Sequence, residues 1–386
     1  MQLELLRLNT TQKSHPRNAA GPRQDSVAAA PSRRRPTFLE FFAGSGLVAE
    51  GLRPYFRTAW ANDICDKKAA VYRANHSKSP FFLGSIEHVD GAALPDAKLA
   101  WASFPCQDLS LAGLTAGING HRSGLVWEWL RVVDEMQTRC PVLVAENVVG
   151  LVSGAGGAHY RALHAALVSR GYRVGALMLD AVRWVPQSRP RIFVVAVSKE
   201  VRIPTRLIDT RPNWAHSQAV VAAMREQADA VWWKLPEPAC RETSLEDVID
   251  WRAPCDAADV AVGKLALVPE RHRRLLHAKA RHVAPGYRRT REAGQVLELR
   301  FDGIAGCLRT PEGGSSRQVL VLKDGADTRT RLLTIRETAR LMGAPDSYSL
   351  PGTYNDGYKA MGDGVAVPVA AHLGKHLLRH LVKAAT

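Results

Sequence analysis

The sequence predicts an α/β fold, a largely parallel sheet with helices on both faces. Two observations carry that prediction. Short apolar runs that stop at Gly, Asn, Asp or Pro alternate with longer stretches of helical period. The alternation persists from Thr37 to Ser198, as strand–helix–strand units require. In chain order the strands are TFLEFFAG, RTAWAND, KLAWASF, PVLVAEN and RIFVVAVS. The helices are SGLVAEGLRPYF, CDKKAAVYRANH, GLVWEWLRVVDEM and AHYRALHAALVSRG. In such a sheet, chemistry collects at the carboxyl ends of the strands.

Outside this core the texture changes. Residues 1–36 mix Ala, Pro, Ser and Arg without an apolar period and read as a flexible basic tail. The α/β core is placed at 37–200, and a smaller, Pro-, Trp- and Arg-rich domain at 201–330. The segment 331–386 then returns to the core. Its first helix opens on Thr334 with Glu337 three residues on, a capping box, and closes at Gly343 before Pro345. A last helix is expected from about Val367 to Lys383.

Composition narrows the classes. With 386 residues, 46% apolar and 23% charged, the chain can bury a proper core, which excludes pervasive disorder, collagen and a small disulfide scaffold. Six cysteines without a CxxC pair argue against a zinc ribbon, and point to a reducing, cytoplasmic setting with no metal. No apolar run is long enough to span a bilayer, and MQLELLRLNTTQ lacks the core of a signal peptide. The 52 Lys and Arg against 37 Asp and Glu leave a net charge of +15, which favours a polyanionic partner.

Four motifs stand at predicted strand ends. Phe42-Ala43-Gly44-Ser45-Gly46 turns from a strand into a helix, where glycines let the backbone approach a ligand. Asn62-Asp63 ends the next strand, where nucleotide binders place an acid for ribose hydroxyls, although a helix cap is the better explanation of Asp63 taken singly. Phe104-Pro105-Cys106-Gln107 sets a thiol just beyond a strand, followed by a Gly-, Ser- and Thr-rich stretch suited to a lid. Glu146-Asn147-Val148 puts a carboxylate at the end of an apolar strand, where desolvation can raise its pKa and let it hold a proton, a capping acid being the alternative reading. Before the last core strand, Gln187-Ser188-Arg189-Pro190-Arg191 offers two guanidiniums on alternate positions.

The ordered set FAGSG, ND, PCQ, ENV, QSRPR, RLLTIRETARLMG and MGDGVAVPVA resembles the DNA cytosine-5 methyltransferases of bacterial restriction-modification and related systems. The resemblance covers nearly all the chain from Thr37 onward, interrupted where that family keeps its target-recognition segment. It implies a Rossmann-like, mostly parallel sheet of the S-adenosylmethionine-dependent methyltransferase kind, with a smaller DNA-reading domain. It implies methylation of C5 of a flipped cytosine in duplex DNA, with Cys106 adding to C6 and Glu146 holding a proton on N3. Arg189 and Arg191 are implied to keep the base and Glu146 in register. Phe42, Gly44, Gly46 and Pro105 are implied to line S-adenosylmethionine, with Asp63 on its ribose and Ile64, Ser85 and Ile86 at its adenine. Asp363 and Val365 close that pocket, and Ser110 and Arg122 reach DNA phosphates. In the basic stretch Arg271, Arg273, Arg274, Arg288 and Arg289 are the candidates for DNA contact.

Two departures from the family pattern stand out. The family often has Asp where this chain has Ser85, and its last motif commonly reads Gly-Asn-Ser-Val where this chain has Gly362-Asp363-Gly364-Val365. The rival readings are a tRNA cytosine-5 methyltransferase built on the same motifs and a catalytically silent DNA-binding relative. The long basic insert favours duplex DNA, and intact Cys106 and Glu146 favour activity. A monomer with a cognate restriction endonuclease as partner is the accompanying expectation.

Overall fold

A computed structural model describes residues 35–105, 124–292, 294–309 and 317–385. Cys106, Ser110, Arg122, the glycine-serine stretch at 313–316 and nearly all of the predicted tail lie outside the described residues.

The core is a seven-stranded sheet in the order β3-β2-β1-β4-β5-β7-β6. Its strands are β1 (Thr37–Phe41), β2 (Arg57–Asp63), β3 (Phe81–Leu83), β4 (Leu99–Ala102), β5 (Val142–Val148), β6 (Tyr172–Asp180) and β7 (Pro190–Ser198). The strands from β1 to β5 pair in parallel, whereas β7 runs antiparallel to both β5 and β6. The central strands are near-continuous apolar runs because helices cover both faces; all four residues of β4 are buried. Strand order reverses on either side of β1, so a crevice opens at the carboxyl ends of β1 and β4.

Of the core helices, Asp66–Asn75, Leu125–Glu135 and Ala158–Ser169 lie close to their expected bounds. The helix expected over SGLVAEGLRPYF spans only Leu47–Leu52, because Pro54 has no N–H with which to continue it.

Residues 201–250 stay with this core. Two short strands, β8 (Ile208–Asp209) and β9 (Trp232–Trp233), pair with each other, and buried Trp233 donates its indole N–H to the carbonyls of Gly175 and Val195. A second, four-stranded antiparallel sheet follows, ordered β11-β10-β12-β13 from β10 (Arg281–Arg291), β11 (Gly294–Leu299), β12 (Val319–Asp324) and β13 (Asp327–Leu332). With the helices Ala258–Ala266 and Glu270–His277 it encloses a small core that includes Leu276, Ala284, Leu297 and Val321.

The returning segment forms the helices Ile335–Leu341, Tyr354–Gly362 and Val367–Leu373. Thr334 and Glu337 make the expected capping box, and Glu337 also binds buried Arg331 at 2.6 Å, tying the returning segment to the end of β13. The helix Val367–Leu373 packs so tightly on Leu47–Leu52 that a Cβ on Gly51 would stand 2.5 Å from the Val367 carbonyl. Among the described residues no helix is long and apolar enough to cross a membrane.

Candidate active site

Strand direction assembles the site. β1, β2, β4 and β5 all end at one sheet edge, delivering Phe42 to Gly46, Asn62-Asp63, Ser103 to Pro105 and Glu146-Asn147 side by side. β7 runs the other way, so its first residues, Pro190 and Arg191, reach that same edge. Glu146 faces Phe193 across the β5–β7 pair and Val148 faces Arg191. Glu146 and Arg191 are therefore diagonal neighbours on one face, within reach of each other.

The glycine turn is held from below. Gly44 and Cys65 donate their backbone N–H groups to the two oxygens of the buried Asp63 carboxylate at 2.8 and 2.9 Å, which locks the ends of β1 and β2 together. Gly46 sits at φ 85°, and a Cβ there would come within 2.6 Å of the His76 ring. Burial pushes His76 down to about 4, so the ring is neutral and donates from Nε2 to the Gly46 carbonyl at 3.0 Å. The Tyr348 hydroxyl donates to the Ser45 carbonyl, and the Ser45 hydroxyl to that of Ala360, pinning the turn to the returning segment.

Above the turn lies a cavity of about 540 Å³. Phe42, Gly44, Asp63, Ile64, Ser85, Ile86, Pro105, Asp363 and Val365, expected at the cofactor, all line it, together with Glu146 and Arg191. Gly46 is the exception, since it supports the turn from beneath and is not on the wall. Ile64 leaves 73% of its surface exposed, an apolar side chain offered at the mouth. Ser85 caps a short 3-10 turn, its hydroxyl accepting from the backbone of Glu87. Asp363 pairs with Lys68, which the sequence analysis did not single out, at 2.5 Å.

Glu146 is buried beside Arg191, whose Nε lies 3.4 Å from its Oε1. Burial raises the carboxyl above its ordinary range, while Arg191, Arg189 and Ser103 pull it back. The burial effect wins, so the carboxyl holds its proton more firmly than a solvated glutamate does. Asn147 carries no charge but donates to the Phe104 carbonyl at 2.9 Å, joining the ends of β4 and β5 next to the cavity.

Arg189 and Arg191 were both expected to keep the base and Glu146 in register, but Arg189 turns away from the glutamate. Its side chain is fully buried and donates to the carbonyls of Gly362 and Gly364 at 2.7 Å and of Leu308 at 3.1 Å. Arg189 ties three segments behind the site, and Arg191 alone pairs with Glu146. Gln187 has a similar structural part, donating to the Leu341 carbonyl at 2.8 Å and accepting from Leu308 N–H at 3.0 Å.

A second cleft, about 450 Å³, separates Ser188 and Pro190 from the antiparallel module. Arg271 and Arg289 line it, with Arg300, Arg309 and Tyr287, which sequence reasoning missed. The guanidiniums of Arg289 and Arg309 lie 5.5 and 5.7 Å from the Tyr287 ring centre. Strand alternation turns Arg288 to the other face, opposite Leu297. Arg273 donates to the carbonyls of Val268 and Ala266, and Arg274 pairs with Glu270, so neither joins the cleft.

The family model of C-5 cytosine-specific DNA methylases matches residues 36–379. The chain belongs to that family. It is 27% identical over 376 residues to the type II methyltransferase M.PspPI of Psychrobacter sp. (strain TA137), covering 92% of this chain and 82% of that one. It is 26% identical over 333 residues to M.NgoBI of Neisseria gonorrhoeae, covering 86% and 89%. Its fold is similar to that of the S. pombe Dnmt2 methyltransferase, with a TM-score of 0.57 at 19% identity over 88% of this chain and 97% of that one. The Entamoeba histolytica methyltransferase EhMeth is similar at a TM-score of 0.61 and 13% identity, over 92% and 100%. Membership makes this chain one of the DNA (cytosine-5-)-methyltransferases, and the cavity at the sheet edge is its candidate active site.

Proposed function

We propose that this chain methylates C5 of a cytosine turned out of duplex DNA, with Cys106 as the nucleophile at C6 and Glu146 as the proton donor at N3. The observation that carries the reading is Glu146: a buried carboxyl with a raised affinity for its proton, on the wall of the same cavity as the glycine turn and Asp63. Cys106 lies outside the described residues; it follows cavity-lining Pro105 in the chain.

The donor set suits S-adenosylmethionine. Asp63 presents a buried carboxylate to ribose hydroxyls and Ile64 an exposed apolar face to a purine, in a cavity that Ser85 and Ile86 also line. When bound, that cofactor supplies an electrophilic methyl group. The protein's part is to make C5 nucleophilic. Addition of the Cys106 thiolate to C6 consumes the C5–C6 double bond while Glu146 delivers a proton to N3, leaving an enamine with electron density at C5. Arg191 holds the glutamate in place. After methylation, loss of the C5 proton to a base expels the thiolate, and return of the N3 proton to Glu146 restores the neutral ring.

Target reading is assigned to the antiparallel module that follows residue 250 in the 201–330 segment, with Arg271 and Arg289 in the basic cleft contacting DNA. The relatives' names as type II methyltransferases support a modification role in a restriction-modification system with a partner nuclease. Transfer of tritiated methyl groups to duplex DNA and to RNA tests the reading. DNA is expected to be labelled on cytosine, Cys106→Ala to be inactive, and Glu146→Gln to be slower by about 100-fold or more. Labelling of RNA alone, or full activity in Cys106→Ala, overturns it.

A further inference from the structure

The cofactor cavity carries an ion pair between Asp363 of the last motif and Lys68, a residue that no motif contains. Lys68 Nζ and Asp363 Oδ2 lie 2.5 Å apart, and both side chains line the cavity. Both are held by rigid elements. Lys68 stands in the first turn of the helix Asp66–Asn75, shortly after the strand that ends at Asp63. Asp363 caps the helix Tyr354–Gly362, and Arg189 grips the carbonyls on either side of it, those of Gly362 and Gly364. Gly364 in turn packs on Leu47, beside the glycine turn.

The pair has an outer neighbour that serves as a contrast. Lys67, the preceding residue, binds Asp356 of the same helix at 2.9 Å, but its side chain is 62% exposed and neither partner reaches the cavity. One lysine thus ties the returning helix to the core from outside, whereas the next places its charge inside the binding space. Asp363 adds a carboxylate to a wall that already holds Asp63 and Glu146, and Lys68 supplies the counter-charge.

We propose that Lys68 and Asp363 are the seat for the amino-acid end of S-adenosylmethionine, Lys68 taking its carboxylate and Asp363 its ammonium group. The inference rests on the cofactor reading above. A zwitterion inserted between the two side chains replaces one ion pair by two, leaving no charge unpaired and the net charge unchanged. A ligand without that end finds the pair closed on itself and gains nothing from it.

Calorimetric titration with two probes tests this without turnover. S-adenosylhomocysteine carries the zwitterion; 5′-methylthioadenosine lacks it, and both are thioethers with no charge at sulfur. Wild type is expected to bind the first more tightly. Lys68→Met is expected to weaken S-adenosylhomocysteine by about tenfold or more while leaving methylthioadenosine within about twofold. Lys67→Met is expected to change neither, and retained methylthioadenosine binding shows that each variant is folded. Equal weakening of both ligands by Lys68→Met reduces the pair to a structural tie and overturns the seat, as does no weakening of either. If wild type binds neither probe nor S-adenosylmethionine, the cofactor reading itself fails.

Discussion

Glu40 makes the protein's stability a function of pH in a way that can be worked out. It sits on β1 directly beneath the glycine turn, buried, with the Tyr72 hydroxyl 3.4 Å from its Oε2. Burial raises its pKa from 4.5 to about 8; Asp63 adds to this, while hydrogen bonds from Ala49 and Tyr72 oppose it. The folded protein therefore keeps a proton that the unfolded chain releases above 4.5. Across that window the folded state binds more protons, so stability falls as pH rises, and the fall ends near 8. At about 1.4 kcal/mol per unit, this one group removes about 2 to 3 kcal/mol between roughly pH 5 and pH 7. Glu40→Gln keeps the shape and abolishes the titration. Urea unfolding of both proteins at several pH values isolates the difference. The variant is expected to gain about 2 to 3 kcal/mol on wild type over that interval and nothing further above about pH 8. Parallel stability curves refute the reasoning.

Arg189 and Arg191 should separate cleanly. Arg189→Met strips the donors from three buried carbonyls and is expected to cost about 3 kcal/mol or more in urea unfolding. Arg191→Met should leave folding within about 1 kcal/mol, because its partner Glu146 can be neutral. The expected pH–rate profile declines as pH rises through the Glu146 pKa. Removing the neighbouring cation raises that pKa further, so Arg191→Met should move the decline to higher pH. In the basic cleft, Arg271→Ala and Arg289→Ala should each lower the slope of log affinity for duplex DNA against log salt by about one, or relax one position of the methylated sequence. Arg274→Ala, outside the cleft and paired with Glu270, should do neither.

Much of the site was legible because parallel strands all end at one edge. A motif placed at a strand end is thereby placed in the crevice, and Phe42, Asp63, Pro105 and Glu146 arrived there without any knowledge of loops. Arg191 joins them because β7 runs in reverse, and strand direction is not written in an apolar run. What stayed hidden depends on partners distant in sequence. The acceptors of Arg189 lie 119 to 175 residues away, so a pair of arginines at alternate positions gave no sign that one faces backward. The same distance problem concealed Lys68, which meets Asp363 only when the returning helix docks. In the basic stretch, charge density was readable but orientation was not. Helix Glu270–His277 and strand β10 divide the arginines between a cleft, a core-facing side and local carbonyls.

The proposed reaction is covalent, with a bond between the Cys106 sulfur and C6 of the target cytosine while Glu146 protonates the ring. Duplex DNA carrying 5-fluorocytosine in place of cytosine tests it most directly, because fluorine at C5 blocks the elimination that releases the enzyme. With S-adenosylmethionine present, wild type is expected to form a protein–DNA adduct that survives denaturation, and Cys106→Ala to form none. Turnover on ordinary DNA with no such adduct on the fluorinated substrate would contradict the account.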